Sequence, residues 1–183
     1  MLDASREIVM ERGAGCLTFE QVAQVSGVTR GGITYHFPTK QALLQALVQD
    51  DIEQWKELEE VQRPAGEAPE TAELLAFMRS YTDENPDKRR FVTGMLGAAT
   101  LDPPIIDPVR EFERERLTGV EWNERNLKIE LLRLAAQGLF WANLFHCPDI
   151  SPELRGRLVE VLESLAREWS GDSDKNSEGN NNE

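Results

Sequence analysis

Two threonines eleven residues apart constrain this chain more than any other feature. Thr18 and Thr29 each precede a short run with helical apolar spacing, and Ser26-Gly27 lies between the runs. A threonine hydroxyl at a helix start accepts a backbone N–H that the first turn leaves unpaired, and Gln21, three residues after Thr18, completes a reciprocal pair of such bonds. Gly27 can take the left-handed conformation that ends a helix. Beyond Thr29, the residues Val28, Ile33 and Phe37 fall on one side and leave Arg30, Gly31, Thr34 and Tyr35 on the other. Two short helices joined by a tight glycine turn make a helix-turn-helix, whose second helix reads the major groove of DNA. Gly31 and Gly32 inside that helix cost about 1 kcal/mol each relative to alanine, so propensity does not build it. A face without side chains would instead allow close approach to a base pair or phosphate. The alternative, a loosely helical loop, sits poorly with capping signals on both sides. Thr39 and Lys40 then open a long helix whose amide N–H groups could hold a phosphate, with Lys40 adding charge.

Charge is distributed to match. The whole chain of 183 residues carries 20 Lys+Arg against 33 Asp+Glu, a formal net charge of −13, which disfavours coating nucleic acid through bulk charge. Up to residue 49, however, Arg6, Arg12, Arg30 and Lys40 balance Asp3, Glu7, Glu11 and Glu20. Between Gln21 and Gln49 no acid occurs, as a phosphate-facing segment requires. The excess acid therefore lies in the body.

The remainder reads as helices separated by Pro and Gly, with no alternating strand. Expected helices run over about Leu2 to Arg12, Phe19 to Val25, Arg30 to His36, Gln41 to Glu60, Glu70 to Glu84, Lys88 to Leu101, Val109 to Asn123, Leu127 to Phe145 and Pro152 to Trp169. The fold class is all-α: a three-helix helix-turn-helix head over 1–46, a helical body over 47–170 and a disordered acidic tail over 171–183. No apolar run reaches the length of a membrane span and no signal segment follows Met1, so a cytoplasmic protein is expected, with Cys16 and Cys147 as reduced thiols.

At LDASREIVMERGAG, LTFEQVAQVSGV and TRGGITYHFPTKQALL the sequence resembles the TetR (tetracycline repressor-like) family of bacterial transcription regulators, from Leu2 to about Leu47. The resemblance implies that Thr18, Tyr35, His36 and Lys40 sit on phosphates, while Arg30, Gly31 and Thr34 face base edges; Thr29 and Gly32 complete the candidate DNA-binding set. The chain opens at what resembles the family's first helix, without the polar arm that usually precedes it. Ser5 and Arg6 stand where such helices are apolar, which would loosen the packing of that helix.

The family resemblance further implies a palindromic operator, a homodimer and release of a repressor by a small molecule. Leu132, Ala136, Leu139, Phe140 and Asn143 form one stripe at helical spacing, and Leu154, Leu158, Val161, Leu162, Leu165 and Trp169 another. Such helices at the end of the chain either close the core or pack against a second copy, and a two-fold site favours the copy. An effector pocket would lie among the central helices, with Phe77, Met78, Tyr81, Met95, Phe112, Trp122 and Trp141 as its large residues; ordinary core is the competing reading of each. Such a lining suits a largely apolar effector.

Enzymatic constellations are missing. His146-Cys147 with Asp149 has no metal-ligand spacing, and there is no phosphate-binding glycine loop, nucleophile elbow or HExxH. No catalytic residue, metal or cofactor is expected. The rival to a DNA-binding regulator is a small-molecule-binding or interaction protein with a weakened head.

Overall fold

Every regular element among the residues described by the computed structural model, 1–171, is helical. In chain order these are α1 (Leu2–Arg12), α2 (Phe19–Ser26), α3 (Arg30–His36), α4 (Lys40–Gln62), α5 (Pro69–Thr82), α6 (Pro86–Leu101), α7 (Asp107–Leu117), α8 (Glu124–Phe145) and α9 (Pro152–Gly171), with short 3-10 turns at Ala14–Cys16 and Pro103–Ile106. The starts follow the local chemistry. Asn85 Oδ1 accepts from the N–H of Asp87 ahead of Pro86 at the first position of α6, and Asn123 Oδ1 accepts from Asn126 at 2.9 Å to open α8. The helix expected over Val109 to Asn123 ends early, at Leu117. Gly119 takes φ +78°, a left-handed residue that a continuous helix does not tolerate. The expected tail lies outside the described residues beyond Gly171, which itself closes α9.

The described residues pack as two compact units that do not follow chain order: residues 1–54 with 85–118, and residues 55–84 with 119–171. This differs from a division at residue 46. α1 and the first half of α4 retain apolar faces that α2 and α3 do not cover, and Phe91, Met95 and Ile105 from the later segment join their core. That core also holds Val9, Leu17, Val22, Ile33, Leu43 and Leu47, all fully buried or nearly so. α1 and α6 cross at Gly94. A Cβ there would stand 2.3 Å from the Val9 carbonyl oxygen, so only glycine permits the crossing.

Ser5 and Arg6, expected to loosen α1, are packed. Ser5 is fully buried and its hydroxyl donates to the Met1 carbonyl at 3.0 Å. The Arg6 guanidinium reaches Asp51 at 2.9 Å and Asp50 at 3.5 Å and lies 4.0 Å over the Phe91 ring. The long aliphatic stem fills the space an apolar residue would, and its head finds charge and an aromatic face.

In the second unit α5 packs against α8 and α9 through Leu74, Leu75, Phe77, Met78, Leu132, Ala136 and Ala166, with Leu162, Leu165 and Trp169 alongside. Polar ties fasten it. Arg79 holds Glu163 through Nε at 2.7 Å and Nη2 at 2.9 Å, and Thr71 and Ser170 share a buried hydrogen bond of 2.6 Å. The Arg79 bond comes first among the causes that hold the Glu163 carboxyl below its ordinary range, ahead of the opposing effect of burial.

Candidate DNA-binding interface

The reader is assembled from local bonds and two anchors. Thr18 Oγ1 accepts the Gln21 N–H at 3.3 Å while the Thr18 N–H donates to Gln21 Oε1 at 3.1 Å, the reciprocal cap expected at the start of α2. Gly27 ends α2 at φ +71°, and Thr29 Oγ1 accepts the Gly32 N–H at 3.1 Å to start α3. Val22 from α2 and Ile33 from α3 are fully buried in the shared core. A seven-residue helix with two glycines is marginal by itself, and these caps together with Ile33 give it a defined pose.

What remains outward is polar or bare. Thr18, Thr29, Arg30, Gly31, Tyr35 and His36 are exposed, while Gly32, Thr34 and Lys40 are half-buried. Tyr35 is 84% exposed, with its ring edge-on to His36, as suits a phenol that would meet a phosphate. The two glycines have different surroundings. A Cβ on Gly31 would meet nothing within 4 Å, whereas one on Gly32 would come within 3.1 Å of Val28 Cγ1. Gly31 thus leaves the outward face open, and Gly32 lets α3 sit close to the turn. Thr34 spends its hydroxyl on the Gly31 carbonyl at 3.1 Å, which leaves its methyl and the hydroxyl lone pairs for a ligand.

Both cations of the set are engaged. Lys40 Nζ donates to the Gly15 carbonyl at 2.8 Å, joining the start of α4 to the turn after α1, and two ammonium protons are left for a phosphate. Arg30 Nη1 meets Glu20 Oε1 at 3.1 Å. Reading by residue type singled out neither partner. Gly15 has no distinguishing side chain, and Glu20 reads as one more acid in a balanced head until the turn brings α2 and α3 together.

The candidate effector residues divide. Met95 and Phe112 belong to the first unit, the first in its core and the second packed on it. Phe77 and Met78 are core of the second unit, and Trp122 lies half-exposed between α7 and α8. Tyr81 joins an aromatic group of the second unit in which Trp55, Phe77 and Phe140 lie 4.2, 4.8 and 6.1 Å away, and Trp141 stacks on Phe145. Trp55 was not among the candidates because α4 reads as a charged helix around it. A small cavity lined by Leu139, Ala142, Asn143, His146, Ile150 and Arg155 has about 20 Å³, room for a water molecule but not an organic effector.

The two stripes expected to meet a second copy are used in part within the chain. Leu132, Ala136 and Phe140 are buried, and Leu162, Leu165 and Trp169 pack against the same core, so these members of the two stripes close the chain on itself. On α8 a different apolar face is left outside, Leu127, Leu131, Leu134, Trp141 and Phe145, while on α9 Leu154 and Val161, members of the expected stripe itself, stay exposed. α8 thus carries two apolar phases, one of them packed against α5 and α9, while the single stripe of α9 is only partly covered.

No helix among the described residues is long and apolar enough to cross a membrane, and no group of three or more His, Cys, Asp or Glu among them is placed to hold a metal ion.

Known proteins share this architecture. Residues 1–47 match the family described as bacterial regulatory proteins, tetR family, and residues 71–167 that described as Tetracyclin repressor-like, C-terminal domain. The HTH-type transcriptional regulator BetI of Cronobacter sakazakii is 28% identical over 144 residues, covering 76% of this chain and 71% of that one. SrpR of Pseudomonas putida, also an HTH-type transcriptional regulator, is 38% identical over 48 residues, 26% of this chain and 22% of its own. Among solved structures, a TetR-family transcriptional regulator from Rhodococcus sp. superposes with a TM-score of 0.66 at 18% identity, over 90% of this chain and 96% of that one. With an N-terminal reader and a C-terminal helical body both matched, the chain belongs to the TetR family of DNA-binding transcriptional regulators.

Proposed function

We propose that the protein is a homodimeric repressor that acts in the cytoplasm, binds a palindromic operator through its head (1–46) and leaves it when a small, largely apolar effector enters its body (47–170). One observation carries the reading: α3 buries Ile33 completely while Arg30, Gly31, Tyr35 and His36 face outward from a doubly capped frame. In the proposed complex Arg30 grips guanine O6 and N7, and Thr34 and the open backbone at Gly31 meet neighbouring base edges. Thr18, Tyr35, His36 and Lys40 take phosphates and fix the register, with Thr29 and Gly32 holding the reader's shape.

Dimerisation is supported by the exposed apolar residues Leu127, Leu131, Leu134, Trp141 and Phe145 on α8 and Leu154 and Val161 on α9, since apolar surface clustered on one side of a helix is the kind that a second copy covers. Two readers related by a two-fold axis can meet successive major grooves about 34 Å apart. Effector action is placed at the aromatic group around Trp55, Tyr81 and Phe140, because Trp55 lies on α4, the helix that Lys40 begins. An effector need only bind one arrangement of that helix better than the other to change operator affinity.

Selection of bound duplexes from a random pool tests the reading. Wild-type protein should recover a two-fold symmetric motif and shift it in a gel as a dimer. Recovery without symmetry, or no recovery, overturns it.

A further inference from the structure

Arg30 is paired with a carboxylate, and that pairing is informative because of where the carboxylate stands. Glu20 is the only acid between Arg12 and Gln49, a stretch that includes every candidate DNA contact. It lies in the first turn of α2, two residues after Thr18, and its Oε1 sits 3.1 Å from Arg30 Nη1 at the first position of α3. Both backbones are fixed at these points by the two threonine caps, and both helices are anchored by a buried residue, Val22 and Ile33. The ion pair therefore spans two elements whose separation is set independently of it. Both side chains are about two-thirds exposed, 62% and 68%, so in water the pair is weak. Against a duplex the same pair loses water and strengthens.

A solitary guanidinium on a flexible stem beside DNA is drawn to whichever phosphate is nearest, an attraction with no sequence content. A carboxylate 3.1 Å away cancels much of that undirected attraction. It leaves the directional part: Nη1 is engaged, but a guanidinium has five N–H donors, and the two-pronged grip on guanine needs two. Resting on the operator reading above, we infer that Glu20 is a specificity-determining positioning residue, which holds Arg30 toward the base edges and makes it a poor phosphate ligand.

The competing account is that Glu20 merely favours the positive end of α2, where an acid in the first turn is stabilising. Two substitutions separate the accounts. Glu20→Ala removes the charge and the reach; Glu20→Asp keeps the charge at the helix start but is one methylene too short to meet Arg30. The full chain is used throughout, and thermal unfolding confirms that each variant is folded. A pool of duplexes with a randomised core is selected by wild type, Arg30→Ala, Glu20→Ala and Glu20→Asp. Fluorescence anisotropy then follows binding to the wild-type winner and to a scrambled duplex at several salt concentrations.

Arg30→Ala defines the base position that Arg30 reads. Glu20→Ala and Glu20→Asp should both flatten preference at that position, from roughly tenfold or more to two- or threefold. Glu20→Ala should also tighten binding to scrambled duplex several-fold and steepen its salt dependence by about one unit per protomer, as a freed Arg30 takes a phosphate. Any of three results overturns the inference: Glu20→Asp recovers the wild-type motif, the Glu20 variants change a different base position, or Glu20→Ala tightens both duplexes equally. If wild type itself recovers no motif, the operator reading fails first, and this inference fails with it.

Discussion

The reader and the α8–α9 pair bury apolar surface in opposite ways. Over the fifteen residues of α2 and α3 only Val22 and Ile33 are fully buried, and capping bonds within three residues of sequence fix the rest. α8 alone has 22 residues, buries Leu132, Ala136 and Phe140, and exposes Leu127, Leu131, Leu134, Trp141 and Phe145. Polar bonds saturate locally and leave a face that tolerates water. Apolar surface has no such limit, so a helix apolar on two sides is satisfied only by two partners. In the proposed regulator, a reader released from its operator suits the first construction, and a lasting contact between copies the second.

The comparison breaks most visibly if the exposed face is made polar. Leu131→Glu with Leu134→Glu should convert a dimer to monomers by light scattering at micromolar concentration, leave helical circular dichroism nearly intact and abolish binding to a two-fold operator. If wild type is already monomeric, the assignment of that face is wrong. Leu162, by contrast, packs inside, so Leu162→Glu should unfold the second unit instead of separating copies.

Removing the reader's anchor comes next. Ile33→Ala deletes a fully buried side chain and should cost about 2–5 kcal/mol, read as a lowered denaturation midpoint in urea together with weakened binding to every duplex. Arg30→Ala should cost about 1–3 kcal/mol per half-site on the selected operator and far less on scrambled DNA. Lys40→Ala should weaken both alike and lower the salt slope by about one unit per protomer. Equal losses for Arg30→Ala on both duplexes would make it a phosphate contact.

The cap sharpens the contrast at smaller scale. Thr29→Ala removes the acceptor for the Gly32 N–H and should cost about 1 kcal/mol of stability, because a helix this short draws much of its definition from its first turn. The smallest expected effect lies in the second unit. The Glu163 carboxyl is held below its ordinary range mainly by its bond to Arg79, so the stability it contributes is present above the unfolded-state value near 4.3 and is lost as acid carries the pH down through the lower folded-state value. Glu163→Gln should therefore flatten the fall in melting temperature on acidification below about pH 4.3, while lowering it slightly at pH 7. An unchanged acid limb would show that the Arg79 bond does not persist in solution.

How far each region could be read in advance follows the range of its forces. The caps at Thr18 and Thr29, the left-handed Gly27 and the limits of α3 all rest on bonds closing within four residues, and each stands where the pattern of residues placed it. Gly119 carried the same kind of signal, and weighing it would have ended α7 at Leu117. Arg6 was conspicuous by type, yet nothing near it in the chain announces Asp50, Asp51 and Phe91, which lie more than forty residues away. The all-helical class, the helix-turn-helix and the exposure of Arg30, Gly31 and Tyr35 on α3 were thus determined by the amino-acid sequence alone. Tertiary structure decided which apolar face of α8 is core and which part of the α9 stripe is covered, which glycine of the reader is open, and that Glu20 and Lys40 have partners in Arg30 and Gly15. The physical reason is that periodicity reports how many faces of a helix are apolar, while only the packed chain reports what stands opposite each of them.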